Sequence, residues 1–245
     1  MSEVVFVGTS DAFGSGGRRQ SAYLLRARSG AVLLDCGATT GSGLSALGIS
    51  REEIDAIVVS HFHADHFGGI PLFLLACLYQ DSRHKPVRIA GPPEIEARVH
   101  RAAEALGHPI RGQAWSFPII FQELTAGVPT AVGPVEVSSF ETLHSPEANP
   151  HGLVVHSDSK RVAYSGDTGW FDALPSHANG SDLFICECTL VDRSFEYHLS
   201  LEELSLRKKE FDCGRLILTH LGENMRSLTD FEGFEIADDG LSVNL

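Results

Sequence analysis

No apolar run in this sequence approaches the length of about eighteen residues that spans a bilayer, so no membrane partner is expected. There is no internal repeat, no long polar linker and no shift in composition. That excludes a repeat architecture and points to one domain over residues 1–245. The hydrophobic content of 43% suffices for one sizeable core. Basic residues are scarce: 19 Lys and Arg against 32 Asp and Glu leave a net charge of −13. Such a surface disfavours broad binding to a phosphate backbone, but it permits an anionic substrate where bound metal supplies positive charge. The start, MSEVVFVGTS, carries no basic region before its apolar residues and reads as a strand, not a secretory leader. Cysteines are few and odd in number: Cys36, Cys77, Cys186, Cys188 and Cys213. That count argues against a disulfide framework and fits reduced thiols in the cytoplasm.

Short apolar segments alternate with helical ones. EVVFVG, SAYLLRA and AVLLDCG read as strands, and DAIVVS as a buried strand. IPLFLLACLYQD reads as a packed helix with Pro71 in its first turn, and EIEARVHRAAEALG as an amphipathic helix stopped at Gly107. Strands broken at Gly127, Pro129 and Pro134 fill the middle. A hairpin turning at Ser159, a short helix GWFDALPSHA, the strand DLFICEC, the helix SLEELSLRKKEF and the strand RLILTH follow. The tail FEIADDGLSVNL reads as a final hairpin turning at Asp239-Gly240. Periodicity by itself supports a layered mixture of α and β.

One stretch, SHFHADHFGG at residues 60–69, crowds three histidines and an aspartate into six positions. His61 and His63, two apart at a strand end, project to one side and can share an ion. Asp65 and His66 follow where the chain bends into a helix, facing a neighbouring position. Gly68 and Gly69 allow the tight path of that bend. Phe62 and Phe67 argue against a merely solvated histidine loop.

The H-x-H-x-D-H pattern of His61, His63, Asp65 and His66 resembles the metallo-β-lactamase superfamily. So do His144 in TLHSP, Asp167 in YSGDTG and His220 in LILTHLG, each at the end of an apolar run. The resemblance implies a four-layer αβ/βα sandwich, two mixed sheets with outer helices. It also implies two divalent ions, zinc first, with manganese or iron as alternatives. His61, His63 and His144 would hold one ion, and Asp65, His66 and His220 the other. Asp167 and a hydroxide would bridge them. Neutral imidazole and carboxylate suit zinc.

Within the superfamily, the opening GTSDAFGSGGRRQSAYLL, the phrase SGDTG, ICECTL and HLSLEEL look like the ribonuclease Z group and its small PhnP-type phosphodiesterase relatives. By that likeness His198 is a general acid or phosphate donor, oriented by Glu187, and Asp65 belongs to the catalytic group. Departures exist: Cys186 stands where that group has histidine, Leu199-Ser200 follows His198 in place of serine-threonine, and no long basic arm is left over for transfer RNA. The expected function is therefore a dinuclear phosphodiesterase acting on a small or nucleotide-like diester. An RNA 3′-processing endonuclease of ribonuclease Z type is the first alternative and a lactone or thioester hydrolase the second. A homodimer is compatible with the resemblance. Arg18 and Arg19 read as loop charges near the site mouth or as phosphate contacts.

Overall fold

The computed structural model describes residues 2–245. Fourteen strands among these residues form two seven-stranded mixed sheets. The first sheet takes β1 (Glu3–Gly8), β2 (Ala22–Ala27), β3 (Gly30–Leu34), β4 (Ile54–Val58), β5 (Val87–Gly91) and β6 (Ile119–Glu123) in chain order. The second takes β7 (Thr130–Val132), β8 (Val135–Glu141), β9 (His151–Ser157), β10 (Lys160–Tyr164), β11 (Leu183–Glu187), β12 (Leu216–Thr219) and β13 (Glu235–Ile236). The last strand, β14 (Ser242–Asn244), returns to the first sheet beside β1. The helices are α1 (Thr40–Ala46), α2 (Ala64–Phe67), α3 (Ile70–Tyr79), α4 (Ile95–Ala105), α5 (Leu174–Ala178), α6 (Leu201–Arg207) and α7 (Glu223–Arg226). None is long and apolar enough to cross a membrane.

Alternation along the strands sorts the side chains into three cores. Val4 and Phe6 of β1, Leu183 and Ile185 of β11 and Ile217 of β12 meet between the sheets. Val5 and Val7 turn the other way, against Leu44 of α1, Phe73 and Leu74 of α3 and Val99 of α4. Phe184 and Cys186 pack against Leu174 of α5, Leu204 of α6 and Met225 of α7. Strands buried on both faces need apolar residues at nearly every position, which is why they read as continuous runs. The layers are therefore helix, sheet, sheet, helix, as expected.

Three expectations are corrected. The tail is not a hairpin: β13 pairs in parallel with β12, while β14 pairs antiparallel with β1 in the other sheet. The turn forms, closed by Leu241 N–H to Asp238 O, but Phe6 N–H binds Leu241 O and Gly240 N–H binds Phe6 O, drawing the chain onto β1. Ala237 and Val243 thereby enter the core between the sheets, burial that an isolated two-stranded hairpin lacks. Next, β4 ends at Val58, so His61 and His63 lie in the following loop and not on the strand. Finally, Gly68 and Gly69 have ordinary helical dihedrals, φ −64° and −80°. Glycine is needed at Gly69 because a Cβ there would strike the Gly37 carbonyl oxygen.

Candidate metal centre

Pairing directions give β1, β3 and β4 of the first sheet a common end, and β8, β10, β11 and β12 of the second; the residues beyond these ends meet at one rim of the sandwich. The residues that follow these ends supply the site. β4 leads to His61, His63 and, through α2, to Asp65 and His66; β8 leads to His144, β10 to Asp167 and β12 to His220. All seven predicted residues converge into two groups. His61, His63, His144 and Asp167 form one, and Asp65, His66, Asp167 and His220 the other, with Asp167 in both.

The spacing fits divalent ions. His63 Nδ1 lies 3.2 Å from His61 Nε2 and 3.1 Å from His144 Nε2. Asp65 Oδ2 lies 3.2 Å from Nε2 of both His66 and His220. Donors about 2 Å from one tetrahedral ion sit about 3.3 Å apart, the separation seen. Asp167 presents Oδ2 to the first group, 3.8 Å from His61 and His144, and Oδ1 to His66 at 3.3 Å. His66 Nε2 and Asp167 Oδ1 are buried without a hydrogen-bond partner, which native interiors avoid unless an ion or water serves them. The donor set fits a metal pair on both counts.

The imidazoles are held from behind. His66 Nδ1 donates to Asp35 Oδ2 at 2.7 Å, and His144 Nδ1 to the Tyr197 carbonyl at 2.9 Å. His220 Nδ1 meets Thr189 Oγ1 at 2.8 Å and His61 Nδ1 meets Ser60 Oγ at 3.0 Å. These contacts turn Nε2 of each ring toward the site, fixing tautomer and orientation together. Asp35 is itself fully buried and also accepts from Ser60 N–H, Ser60 Oγ–H and Tyr164 Oη–H. Asp35 and His220 both sit at positive φ, 59° and 56°, in the left-handed region that Asp and His tolerate best after Asn and Gly.

Burial and mutual repulsion hold His61 well below the ordinary imidazole value, and burial lowers His63 and His144. For His66 and His220 burial acts the same way, but the charges of Asp167 and Asp65 outweigh it and raise both. Burial would raise the two aspartates; the surrounding histidines reverse that and keep both ionised, far below the usual carboxylate range.

The family model described as Anti-Pycsar protein Apyc1 matches residues 2–236. The chain belongs to that family. This Apyc1-family chain is 26% identical to Anti-Pycsar protein Apyc1 of Bacillus phage 010DV004, over 91% of its own length and 90% of the relative's. It is also 26% identical to ribonuclease Z of Mycobacterium bovis (strain BCG / Pasteur 1173P2), over 98% of its length and 96% of the relative's. Among solved structures, the metallo-β-lactamase fold protein YhfI from Bacillus subtilis superposes with TM-score 0.80 at 22% identity, covering both chains completely. A diphosphatase from the PhnP family also reaches TM-score 0.80, at 16% identity over 100% of this chain and 98% of that one. With its two His/Asp groups at the rim, this member of the Apyc1 family is a metallo-hydrolase of the metallo-β-lactamase fold.

Glu187 and His198 also reach the rim. Glu187 is fully buried and not a surface carboxylate; its Oε1 accepts from Thr168 N–H and from His198 Nδ1–H, both at 2.8 Å. Burial would lower the His198 imidazole, yet Glu187 outweighs it and holds the pKa at about 9. His198 lines a cavity of about 740 Å³ with Asp65, His63, His144, Asp167 and His220. Cys186 and Cys188 are both buried in the core beside the outer helices, burial pushes their thiols well up, and neither belongs to the His/Asp groups. Arg18 and Arg19 pair with Asp238 and Asp239 and brace the tail turn.

The Asp35, Thr189 and Tyr164 supports of this Apyc1-family site escaped the sequence reading. Asp35, in LLDCG, carried the one usable signal: a carboxylate closing an apolar strand.

Proposed function

We propose that this protein is a dinuclear metal-dependent phosphodiesterase acting on a small diester, nucleotide-like or cyclic. The observation that carries the reading is the single Asp167 carboxylate shared by two donor groups, beside His198, whose Nδ1 is hydrogen-bonded to the buried Glu187 at the cavity edge. In this reading His61, His63, His144 and Asp167 hold one ion, and Asp65, His66, His220 and Asp167 the other. Zinc is favoured by five imidazoles and two carboxylates. Two such ions supply a water of lowered pKa and screen the phosphoryl oxygens.

The rest is done by the chain itself. Asp65 stays ionised at the cavity wall and orients the attacking water. His198, its imidazole favoured in the charged form by Glu187, donates to a phosphate oxygen or to the leaving alkoxide. Glu187 keeps that proton in place. Thr189 links the pair to the metal side: its hydroxyl donates to Glu187 Oε2 at 2.9 Å and accepts from His220 Nδ1–H.

A ribonuclease Z activity is the second reading, favoured by the relatives of that name. Charge speaks for the small diester. The metal-side cavity and its neighbour of about 520 Å³ are lined by Asp11, Asp192 and Glu223 beside the metal-binding carboxylates, and by no Lys or Arg among the described residues. A polynucleotide would have to lay successive phosphates along these acids. Parallel assays with bis-p-nitrophenyl phosphate and a precursor transfer RNA separate the two. The proposal expects metal-dependent turnover of the first and no cleavage of the second; cleavage of the RNA alone would reverse it.

A further inference from the structure

Phe13 is the most exposed large apolar side chain among the described residues, at 93%, and Phe195 is exposed at 52%. A single exposed phenylalanine is ordinary. These two come from distant segments and line the same cavity, whose other walls carry His63, Asp65, His144, Asp167 and His220.

Neither ring sits on a slack loop. The Asp11 carboxylate, itself buried, accepts from Phe13 N–H at 3.1 Å, Ser15 N–H at 3.1 Å and Ser15 Oγ–H at 2.8 Å, folding the segment around Phe13 into a fixed turn. Phe195 stands edge-on to Tyr197, centroids 5.5 Å apart at 89°, and lies 6.0 Å from the His198 ring. Tyr197 lines the cavity too, and its carbonyl holds His144. The wall is thus fixed at the Phe195 end through Tyr197, whose carbonyl holds His144, and at the Phe13 end through Asp11. Phe13 also borders the neighbouring cavity, where Ser194 and Asn224 offer neutral hydrogen-bonding groups.

We propose that Phe13 and Phe195, with Tyr197, form an aromatic subsite that takes a planar ring carried by the substrate and sets the preference among diesters. This rests on the phosphodiesterase reading for its chemistry, but the subsite itself is a matter of binding. A ring with a π face gains from stacking on such side chains whatever its edge pattern, so the subsite selects for a ring more than for one particular ring. It also accounts for two exposed rings from distant segments meeting at one cavity.

The test is calorimetric binding to the metal-loaded protein of adenosine 5′-monophosphate and ribose 5-phosphate, which share sugar and phosphate and differ by the ring. The wild type is expected to bind the first at least about tenfold more tightly, within the range stacking supplies. In Phe13→Ala/Phe195→Ala that ratio falls to near one, and in Phe13→Tyr it is kept. Equal affinities in the wild type, or a ratio that survives the double substitution, would overturn the subsite. Both positions are exposed, so loss of folding is not expected, and melting curves check it. Because binding is read without turnover, failure of the diesterase assay and failure of the subsite remain separate results.

Discussion

Nδ1 of His198 and Oε1 of Glu187 are joined by a 2.8 Å hydrogen bond in which the carboxylate is fully buried and the imidazole borders the cavity of the metal-side residues. A buried charge paired in this way governs its partner's proton. Glu187→Gln removes the charge, leaves burial dominant, and lowers the His198 pKa from about 9 toward or below the ordinary imidazole range. Histidine NMR titration of the metal-free protein reads this directly. In the loaded enzyme the alkaline fall in kcat/KM is expected to move to lower pH in the variant.

The same pair bears on stability, with a definite sign. His198 is raised in the fold, so its contribution is complete below the unfolded imidazole value of about 6.5 and is lost as pH rises through about 9. Melting temperatures of metal-free wild type and His198→Gln are expected to differ most near pH 6 and to converge above pH 9. A gap that widens with pH would contradict the pairing.

Metal uptake should be unequal in acid. His66 and His220 are raised, so the group they share with Asp65 holds protons that an ion must displace; His61, His63 and His144 are lowered and stand ready. As pH falls, the Asp65–His66–His220 group is expected to empty first. Stepwise metal titration at several pH values, followed by cobalt absorption, distinguishes this from simultaneous loss.

Asp35 touches no candidate ion position, yet it collects four donors, including His66 Nδ1. Asp35→Asn keeps the shape and removes the charge. Metal affinity should fall by roughly 10- to 100-fold, as for other groups that orient a metal-binding histidine. Competition with a chelator of known affinity measures it.

Gly69→Ala puts a methyl against the Gly37 carbonyl oxygen, next to the α2 turn that carries Asp65 and His66. Overpacking of this kind costs about 1–3 kcal/mol, read as a lowered denaturant midpoint.

Much of the candidate site was legible because H-x-H-x-D-H follows an apolar run and His144, Asp167 and His220 each close one, places where these residue types are rare. A layered mixture of α and β was legible from apolar runs such as EVVFVG and DAIVVS, and its four-layer form from the resemblance. Asp35, Tyr164 and Thr189 were hidden because their meaning lies in contacts across 31 to 129 positions of chain. The tail misled because a turn signal at Asp239-Gly240 does not say which sheet receives the next strand; that was decided by burial of Val243 beside β1. Phe13 gave no periodic pattern at all, and its exposure appears only once the cavity is assembled.

The central claim is a pair of ions held through Asp167. Metal content per chain, measured beside turnover of bis-p-nitrophenyl phosphate, tests it most directly in wild type and Asp167→Ala. The account predicts about two ions per wild-type chain, turnover lost on chelation and restored by zinc, and a variant that is folded, metal-depleted and inactive. A folded wild type that takes up no metal, or a variant that keeps its turnover, would contradict it.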